Sequence, residues 1–417
     1  MKILLVGSGG REHALAWRLA QEAEVHVAPG NPGIALCAEC HAVEATDQVG
    51  LVGLARKLGV DFVLVGPEAP LIAGLADMLR AVGVPVFGPG KEGAELEGSK
   101  AFAKTVMREA HVRTAAYRIC TEPQSAIGFV RELASEGRRV AVKASGAALG
   151  KGVVVCSSAA DAEDAIEMMM VKREFLEAGD TIVVEERLTG PEFSLLTLCS
   201  DDGMLSLPVA QDYKRAHDGD KGLNTGGMGS YSPVPWITED LIRHTEECVA
   251  APILGILKTR GIQFRGLLYS GMLVQDGEPY CLEYNVRFGD PETQSIMPRL
   301  GAGFAEALRA CSQGLPIPPV EVLSKAAVSV VLASGGYPSA YRKGIPIEVA
   351  GALGDDVHVF HAGTKRADGN LVTDGGRVMA VTACAGSLGD ARDKAYGAAG
   401  KVAFEGMHFR TDIAAGL

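Results

Sequence analysis

The 417-residue sequence has no excess of positive charge: 40 Lys and Arg stand against 51 Asp and Glu, a formal net charge of −11 and a pI near 5.4. That argues against a general role on nucleic acid or at a membrane surface, while leaving room for a local basic pocket around an anionic ligand. The expected partners are therefore small molecules. No apolar run is long enough to span a bilayer, and the opening Met1-Lys-Ile-Leu-Leu-Val-Gly7 lacks the charged, apolar and small-residue order of a secretory leader. The expectation is a cytoplasmic protein, taken as a monomer. A disulfide framework is also missing. The nine cysteines are odd in number and scattered singly through apolar segments, as reduced, buried thiols would be. Cys37-Ala-Glu-Cys40-His41 matches the pattern of c-type haem attachment, but that chemistry belongs to exported proteins, so the match is read as chance. There is no internal repeat, coiled coil or low-complexity segment, and no Gly-x-Ser-x-Gly nucleophile elbow.

What is present is an ordinary globular composition, 47% hydrophobic and 22% charged, with enough chain for about three domains at ~150 residues each. An apolar run at 2–6 ends in Gly7-Ser-Gly-Gly-Arg-Glu-His13 and passes into a helical period of Ala14, Leu15, Leu19 and Ala20. Further short strands at 25–28, 61–65 and 84–87 alternate with helix-like stretches, the pattern of right-handed crossovers and a parallel sheet with ligands beyond its carboxyl ends. The first ~100 residues read as a Rossmann-like domain. The dinucleotide fingerprint fails, however, because Glu12 stands where the third glycine belongs and the second strand ends in Ala28-Pro29-Gly30 rather than in an acid. What remains is a glycine turn at a helix N-terminus, which favours an anion of any kind. The plain alternative is a tight turn and nothing more.

Farther along, Arg139–Lys143 reads as a strand that leads into Ala144-Ser-Gly-Ala-Ala-Leu-Gly-Lys-Gly152, a glycine-rich hairpin suited to covering phosphates with backbone donors and two lysines. It is not a P-loop: the glycine spacing is one short and Gly152 replaces the metal-binding Ser or Thr. Residues 211–235 read as a long polar loop, a length that is usually functional or disordered. His217 within it is a candidate base, although a solvated loop histidine is the plainer reading. In 281–294, Leu282, Tyr284 and Val286 alternate with Glu283, Asn285 and Arg287, so a strand there would aim three polar side chains into one space. A carboxylate and an amide oxygen suit a hard cation such as Mg²⁺, and Arg287 suits a phosphate. The alternative is an amphipathic edge strand with a solvated face.

Six stretches together carry a resemblance that spans nearly the whole chain: Gly7-Ser-Gly-Gly-Arg-Glu-His-Ala14, Val65-Gly-Pro-Glu-Ala-Pro-Leu71, Leu96-Glu-Gly-Ser-Lys100, Asn224-Thr-Gly-Gly-Met-Gly229, Arg287-Phe-Gly-Asp-Pro-Glu-Thr-Gln294 and Phe360-His-Ala-Gly-Thr-Lys365. They resemble the phosphoribosylamine-glycine ligase (glycinamide ribonucleotide synthetase) family of the ATP-grasp superfamily. The resemblance implies an α/β and α+β multidomain fold: a Rossmann-like substrate domain over 1–100, an ATP-grasp domain over 101–320 with a lid at about 115–190, and a small α+β domain over 321–417. It implies ATP as cosubstrate, Mg²⁺ or Mn²⁺ as metal, and glycine and 5-phosphoribosylamine as substrates, joined through glycyl phosphate in purine biosynthesis.

By the same resemblance Lys104 and Lys143 sit on phosphates, with Lys100 a second candidate for the first of these contacts, and Gly150, Lys151 and Gly152 belong to the lid. Glu185 belongs to the ATP site, backbone groups around Glu186 and Leu188 read adenine, Glu192 holds the ribose hydroxyls, Glu283 and Asn285 bind the metal, and Arg287 and Asp290 are the candidate catalytic residues. Gly9, Gly10, Arg11 and Glu68, with Asp212, Asn224, Lys365 and Arg377, are expected on the other substrates. The chain departs from the family's usual pattern at Ser145, where an Asp is usual, and at Pro191, where a Glu is usual. It also lacks the extra acid that many ATP-grasp enzymes carry one strand before the metal Glu, a position that falls near Gly271. The rival readings are an ATP-grasp ligase for a different acid, a nucleotide-binding oxidoreductase resting on the first glycine turn alone, and a non-catalytic ligand-binding protein.

Overall fold

The computed structural model describes residues 1–146 and 152–417. Its first sheet is wholly parallel. Strands β1 (Lys2–Gly7), β2 (Glu24–Pro29), β3 (Glu39–Cys40), β4 (Phe62–Val65) and β5 (Val86–Phe87) stand in the order β3-β2-β1-β4-β5. The strands read as unbroken apolar runs because both faces are covered. Ile3 and Leu5 of β1 pack with Leu15 and Leu19 of the helix α1 (Gly10–Leu19), while Leu4 and Val6 share a cluster with Leu51, Ala55 and Leu79 on the other side. Full burial of each such side chain stabilises by roughly 1.5–3 kcal/mol. Strand order reverses between β1 and β4, which opens a crevice beyond their carboxyl ends.

A four-stranded antiparallel sheet follows, in the order Tyr117–Cys120, Ile182–Glu186, Val140–Ala144, Val153–Val155. With the helices Pro123–Ser135 and Ala159–Ile166 it encloses a core of its own around Phe129, Leu133, Val142 and Ile182. The expected hairpin tip falls partly outside the described residues, Gly150 and Lys151 among them. Gly152 is described, and its carbonyl accepts from Ala144 N–H at 2.7 Å.

The second half of the central region is an antiparallel sheet ordered Gly203–Ser206, Glu192–Ser200, Gly266–Gln275, Glu278–Asn285. The alternation expected along 282–287 is broken at its start. Gly271 pairs with Glu283 and Met272 with Cys281, so Leu282 is an extra residue in a bulge. Cys281 and Tyr284 turn into the core, and Leu282 is left half-buried. From Glu283 onward the pattern holds.

The fourth sheet takes Ala326–Ala333, Arg377–Ala385 and Val357–His361 from the carboxyl-terminal region, backed by the helix Leu388–Ala399. Two of its five strands come from the segment read as a long loop: Gln211–Asp212 and Gly229–Ser232 extend it, and Arg215–His217 pairs with Lys221–Asn224 as a small ribbon. That segment was illegible as strands because its side chains are polar and its buried strand Gly229–Ser232 is held by Ala326–Ala333, far along the chain. Among the described residues no helix is long and apolar enough to cross a membrane.

Candidate functional site

The central feature is a buried ion triad. Lys104 is on the helix Lys100–Glu109, Lys143 on one strand of the lid sheet, and Glu185 on the neighbouring strand, where Ala141 is its register partner and Lys143 lies two residues on. Glu185 forms an ion pair with Lys104, Oε2 lying 2.8 Å from its Nζ, and pairs with Lys143 through the other oxygen. Burial alone would raise the Glu185 carboxyl, but the Lys143 and Lys104 ammonium groups overcome it and hold it down at about 2. Lys104 Nζ also donates to Thr114 Oγ1 at 2.6 Å, which donates on to the Cys281 carbonyl. Glu185 was expected in the ATP site; its carboxylate holds the two lysines expected on phosphate.

Ser145, one of the departures from the family's pattern, lies at the start of the Lys104 helix. Its Oγ accepts from Ala101 N–H at 3.0 Å and its carbonyl from Lys100 N–H at 2.9 Å. A neutral hydroxyl thus serves as an added helix cap.

Glu283 is the acceptor around which cations converge. Burial would raise its carboxyl, but Lys214, Lys143, Lys100 and Arg287 together lower it. Among the described residues its carboxylate nevertheless makes no side-chain hydrogen bond and no ion pair. The Asn285 amide oxygen, next along the same face, receives only a 3.3 Å hydrogen bond from Arg287 Nη2. Oxygen donors held close together and nearly free of direct partners fit a hard divalent cation. The place of the extra acid is taken by Gly271, directly opposite Glu283.

Lys214, absent from the sequence-based site, is central to this one. Its Nζ is 2.5 Å from Glu192 Oε2 and 3.7 Å from Asp212 Oδ1. Burial would lower it, but Asp212 and Glu192 hold it well above the usual lysine value. One ammonium cannot neutralise every acid in this group. Asp212 carries the imbalance: burial raises its carboxyl, Lys214 opposes, and Glu292, Glu192 and Glu283 push it further up. Glu292 is buried, with Oε1 accepting from Tyr269 OH at 2.7 Å and from Ser194 Oγ at 3.1 Å. The available signal for Lys214 was its position two residues after Asp212, the same-face spacing on extended chain.

Arg287 does not present an empty fork. Its Nη2 is 2.8 Å from Glu97 Oε1 and its Nε 3.5 Å from Glu68 Oε2, and Glu97 also accepts from Val286 N–H at 2.8 Å. Glu97, unassigned from sequence, therefore ties the end of the substrate domain to the metal strand.

At the first glycine turn the anion expected from outside is partly supplied from within. Glu12 Oε2 accepts from Gly9 N–H at 2.6 Å, and Oε1 accepts from Arg11 Nε at 2.6 Å. This explains the residue that breaks the dinucleotide fingerprint. Glu12 lies in the crevice between β1 and β4, where a Cβ on Gly66 would come within 2.2 Å of its Oε1. Gly10 backs onto Gln294, whose Nε2 donates to Asp290 Oδ1 at 2.7 Å. Gln294 Oε1 and Arg287 Nε are buried without a hydrogen-bond partner among the described residues.

The carboxyl-terminal domain closes the crevice. Arg377 grips Asp290 in a fork, Nη2 to Oδ2 at 3.0 Å and Nη1 to Oδ1 at 3.2 Å, and Nη1 also donates to the Gly226 carbonyl at 2.5 Å. Asn31 bridges the N-terminal and carboxyl-terminal domains: its Nδ2 donates to the Ser8 and His361 carbonyls, both at 2.8 Å. His361 N–H donates to His13 Nδ1 at 2.7 Å, while burial and then the neighbouring His361 push His13 down to about 3, so it is neutral.

Two of the expected substrate contacts have other partners: Lys365 is half-exposed and paired with Asp374 at 3.2 Å, and Asn224 lies in the small ribbon beside Arg215. His217, the candidate base, is exposed. At the expected adenine edge, Glu186 pairs with Arg138 at 3.4 Å, and Leu188 N–H has no backbone partner among the described residues. Gly190 precedes Pro191 because a Cβ there would fall 2.1 Å from the Val274 carbonyl.

Comparison with known proteins matches three successive profiles. They are the N domain of phosphoribosylglycinamide synthetase over residues 1–97, its ATP-grasp (A) domain over 98–293 and its C domain over 327–416. A phosphoribosylamine–glycine ligase of Streptomyces coelicolor is 45% identical over 424 residues, covering 100% of this chain and 99% of the relative. The crystal structure of the Thermotoga maritima phosphoribosylamine–glycine ligase superposes with a TM-score of 0.87 at 36% identity, covering 99% of this chain and all of that one. The biotin carboxylase domain of Hydrogenobacter thermophilus 2-oxoglutarate carboxylase, solved with MgADP, shares the fold at a TM-score of 0.74 and 17% identity, over 98% of this chain and 91% of that one.

Proposed function

The chain belongs to the phosphoribosylglycinamide synthetase family, an ATP-dependent ligase joining glycine to phosphoribosylamine, and from that premise we propose which of its residues perform each step. The observation that carries the assignment is Glu283, a carboxylate ringed by Lys214, Lys143, Lys100 and Arg287 yet directly paired with none. Such an acid is explained by a metal ion and phosphates shared with a substrate. Glu283 and Asn285 would hold Mg²⁺ or Mn²⁺, which when bound supplies charge neutralisation on the nucleotide's phosphate oxygens.

Lys104 and Lys143 exchange Glu185 for phosphate oxygens when ATP enters, with Lys100 beside them. Leu188 N–H and the backbone of Glu186 read adenine, and Glu192, freed from Lys214, takes the ribose. The glycine carboxylate then attacks the γ-phosphate, breaking its bond to ADP and forming glycyl phosphate. The phosphoribosylamine amine attacks that acyl carbon, phosphate leaves, and the amine proton passes to the departing phosphate or to water. No protein nucleophile takes part, so positioning and charge carry the rate. Arg287 and Asp290 lie where the two substrates meet. Gly10, Arg11, Glu68 and the Arg377–Asp290 clamp line the phosphoribosylamine side, where the unpartnered Gln294 Oε1 and Arg287 Nε await polar groups.

We assign the domains as 1–100, 101–320 and 321–417; the separate parallel sheet supports the first boundary, while the strands Gln211–Asp212 and Gly229–Ser232 cross the second to join the sheet of the third domain. Cytoplasmic placement is supported by nine unpaired thiols, and a monomer is the simplest assembly. The test is ADP release with glycine, with and without phosphoribosylamine, against other amino acids and carboxylates. Turnover requiring glycine and the amine together supports the reading. Preference for another acid would favour the rival ligase.

A further inference from the structure

One end of the first sheet carries a group of side chains that the ligase chemistry leaves unused. Glu24 and His26 are two apart on β2 and so share a face, as do Glu39 and His41 across the end of β3. The parallel register pairs His26 with Glu39, and His41 N–H donates to the Val27 carbonyl at 2.8 Å. Together these contacts bring the four side chains to one patch. His26 Nδ1 is 2.9 Å from His41 Nε2 and 3.5 Å from Glu39 Oε2, while His41 Nε2 is 3.8 Å from Glu39 Oε1. His26, His41 and Glu39 can thus each offer one ligand atom within a sphere the size of a single ion's coordination shell. Donors at ~2.0–2.1 Å from a tetrahedral ion lie about 3.3–3.5 Å apart, close to the spacing found here.

The second observation is the partner on the far side of His26. Its Nε2 is 3.0 Å from Glu24 Oε1. A carboxylate there takes the ring proton on Nε2 and leaves Nδ1 as a lone pair aimed at the other two donors. That is how a carboxylate fixes the tautomer of a metal-bound imidazole. The thiol beside the group is excluded. Cys40 lies between Glu39 and His41 on the opposite face, with its Sγ toward the Asn31 carbonyl at 4.0 Å. His26 is buried and His41 nearly so, whereas Glu39 is exposed, so the ion would be held from the inside by nitrogen and reached from solvent past the carboxylate.

We propose that His26, His41 and Glu39 form a binding site for a borderline divalent transition ion of the zinc(II) class, with Glu24 as the outer hydrogen-bond partner and one position open to solvent. The site is independent of the catalytic metal: Glu283 and Asn285 offer only oxygen, whereas two imidazoles select a softer ion. A bound ion ties β3, an edge strand of two residues, to β2. The run Cys37-Ala-Glu-Cys40-His41 then has a use unrelated to haem.

The full-length protein, stripped with chelator and free of nucleotide, is titrated with Zn²⁺, and Co²⁺ is used to read geometry from its ligand-field absorption. Wild type should bind one ion with a tetrahedral Co²⁺ spectrum, and Glu283→Gln should keep both. His41→Gln should lose that spectrum and weaken Zn²⁺ binding by on the order of 100-fold or more, with ligase activity under Mg²⁺ unchanged. Glu24→Gln should weaken binding by about 10-fold. Because Glu39 is exposed, Glu39→Gln gives a folded second variant that should behave like His41→Gln if the latter does not fold. Equal Zn²⁺ affinity in wild type and either ligand variant, or loss of the site in Glu283→Gln, overturns the proposal.

Discussion

Replacing Glu185 by Gln isolates what the buried triad does. With the carboxylate gone, Lys104 and Lys143 stay behind, 4% and 13% exposed at their side chains, without their shared anion. The folded carboxyl stands at about 2 against an ordinary 4.5. At 1.36 kcal/mol per pKa unit, that corresponds to about 3 kcal/mol of differential interaction, in line with the ~3–5 kcal/mol for breaking a buried pair from one side. The folded pKa is depressed, so this stability is fully present above the unfolded value near 4.5 and is lost as pH falls from there through about 2. At neutral pH the amides of Ile182–Glu186 in Glu185→Gln should therefore exchange hydrogen roughly 200-fold faster than in wild type, if they open as a local unit. ATP supplies the lysines with new oxygen partners. Saturating nucleotide should restore much of the lost protection in the variant and add less to the wild type, where it first has to displace Glu185. The assay is hydrogen exchange by mass spectrometry on both proteins with and without ATP. Unchanged exchange in nucleotide-free Glu185→Gln, or an equal gain from ATP in both proteins, would refute the pairing argument.

Glu283→Gln should lower ligation kcat by on the order of 10²–10³-fold with an unaltered circular dichroism spectrum, and Asn285→Ala should act in the same direction by about tenfold; full activity in folded Glu283→Gln would remove the metal assignment. Arg377→Ala leaves Asp290 without its fork and should cut kcat/KM for phosphoribosylamine by about 30-fold, roughly 2 kcal/mol, while KM for ATP moves less than about twofold. Asp212 titrates above the usual carboxylate range, so if its anion grips an amine substrate, kcat/KM for that substrate should fall as pH drops through the raised value, and Asp212→Asn should flatten that limb. Because the folded pKa is raised, ionising Asp212 costs stability as pH climbs from the unfolded value toward the folded one, so denaturation midpoints should show Asp212→Asn more stable than wild type above that window.

The parallel sheet was legible because burial on both faces forces unbroken apolar strands, and Leu4 beside Leu5 gives that signal without any knowledge of their partners. The metal strand was legible from Glu283 onward, where alternation separates Tyr284 and Val286 from the polar face. It was misread at Leu282, since a bulge is a property of two strands and the register opposite Gly271 is invisible in one. The strands within 211–235 were missed for a related reason: Gly229–Ser232 is buried by pairing with Ala326–Ala333, a contact no local period records. Lys104, Lys143 and Glu185 could all be named for the ATP site, but that Glu185 holds both lysines was not legible, because sequence does not show which side chains on neighbouring strands and helices meet.

What sequence could least supply is the resting arrangement of charge. Among the described residues, cations assigned to a substrate, Lys100 excepted, already have an acid: Lys104 and Lys143 share Glu185, Arg287 holds Glu97 and Glu68, and Arg377 holds Asp290, while beside them Lys214 holds Glu192. The reason is the cost of burial. A guanidinium or ammonium removed from water costs several kcal/mol unless an anion compensates it, so a crevice built for triphosphate and phosphoribose must carry stand-in carboxylates while empty. Those carboxylates help to account for a chain that binds anions and yet has a net charge of −11. On the proposed assignment, substrate binding is an exchange of partners, in which phosphate displaces carboxylate and the released acids, Glu192 and Glu68 among them, face ribose hydroxyls that hydrogen-bond to an anion. Glu283 is the exception: among the described residues it has Lys214, Lys143, Lys100 and Arg287 around it and none in direct contact, which is why the proposed metal is assigned to it.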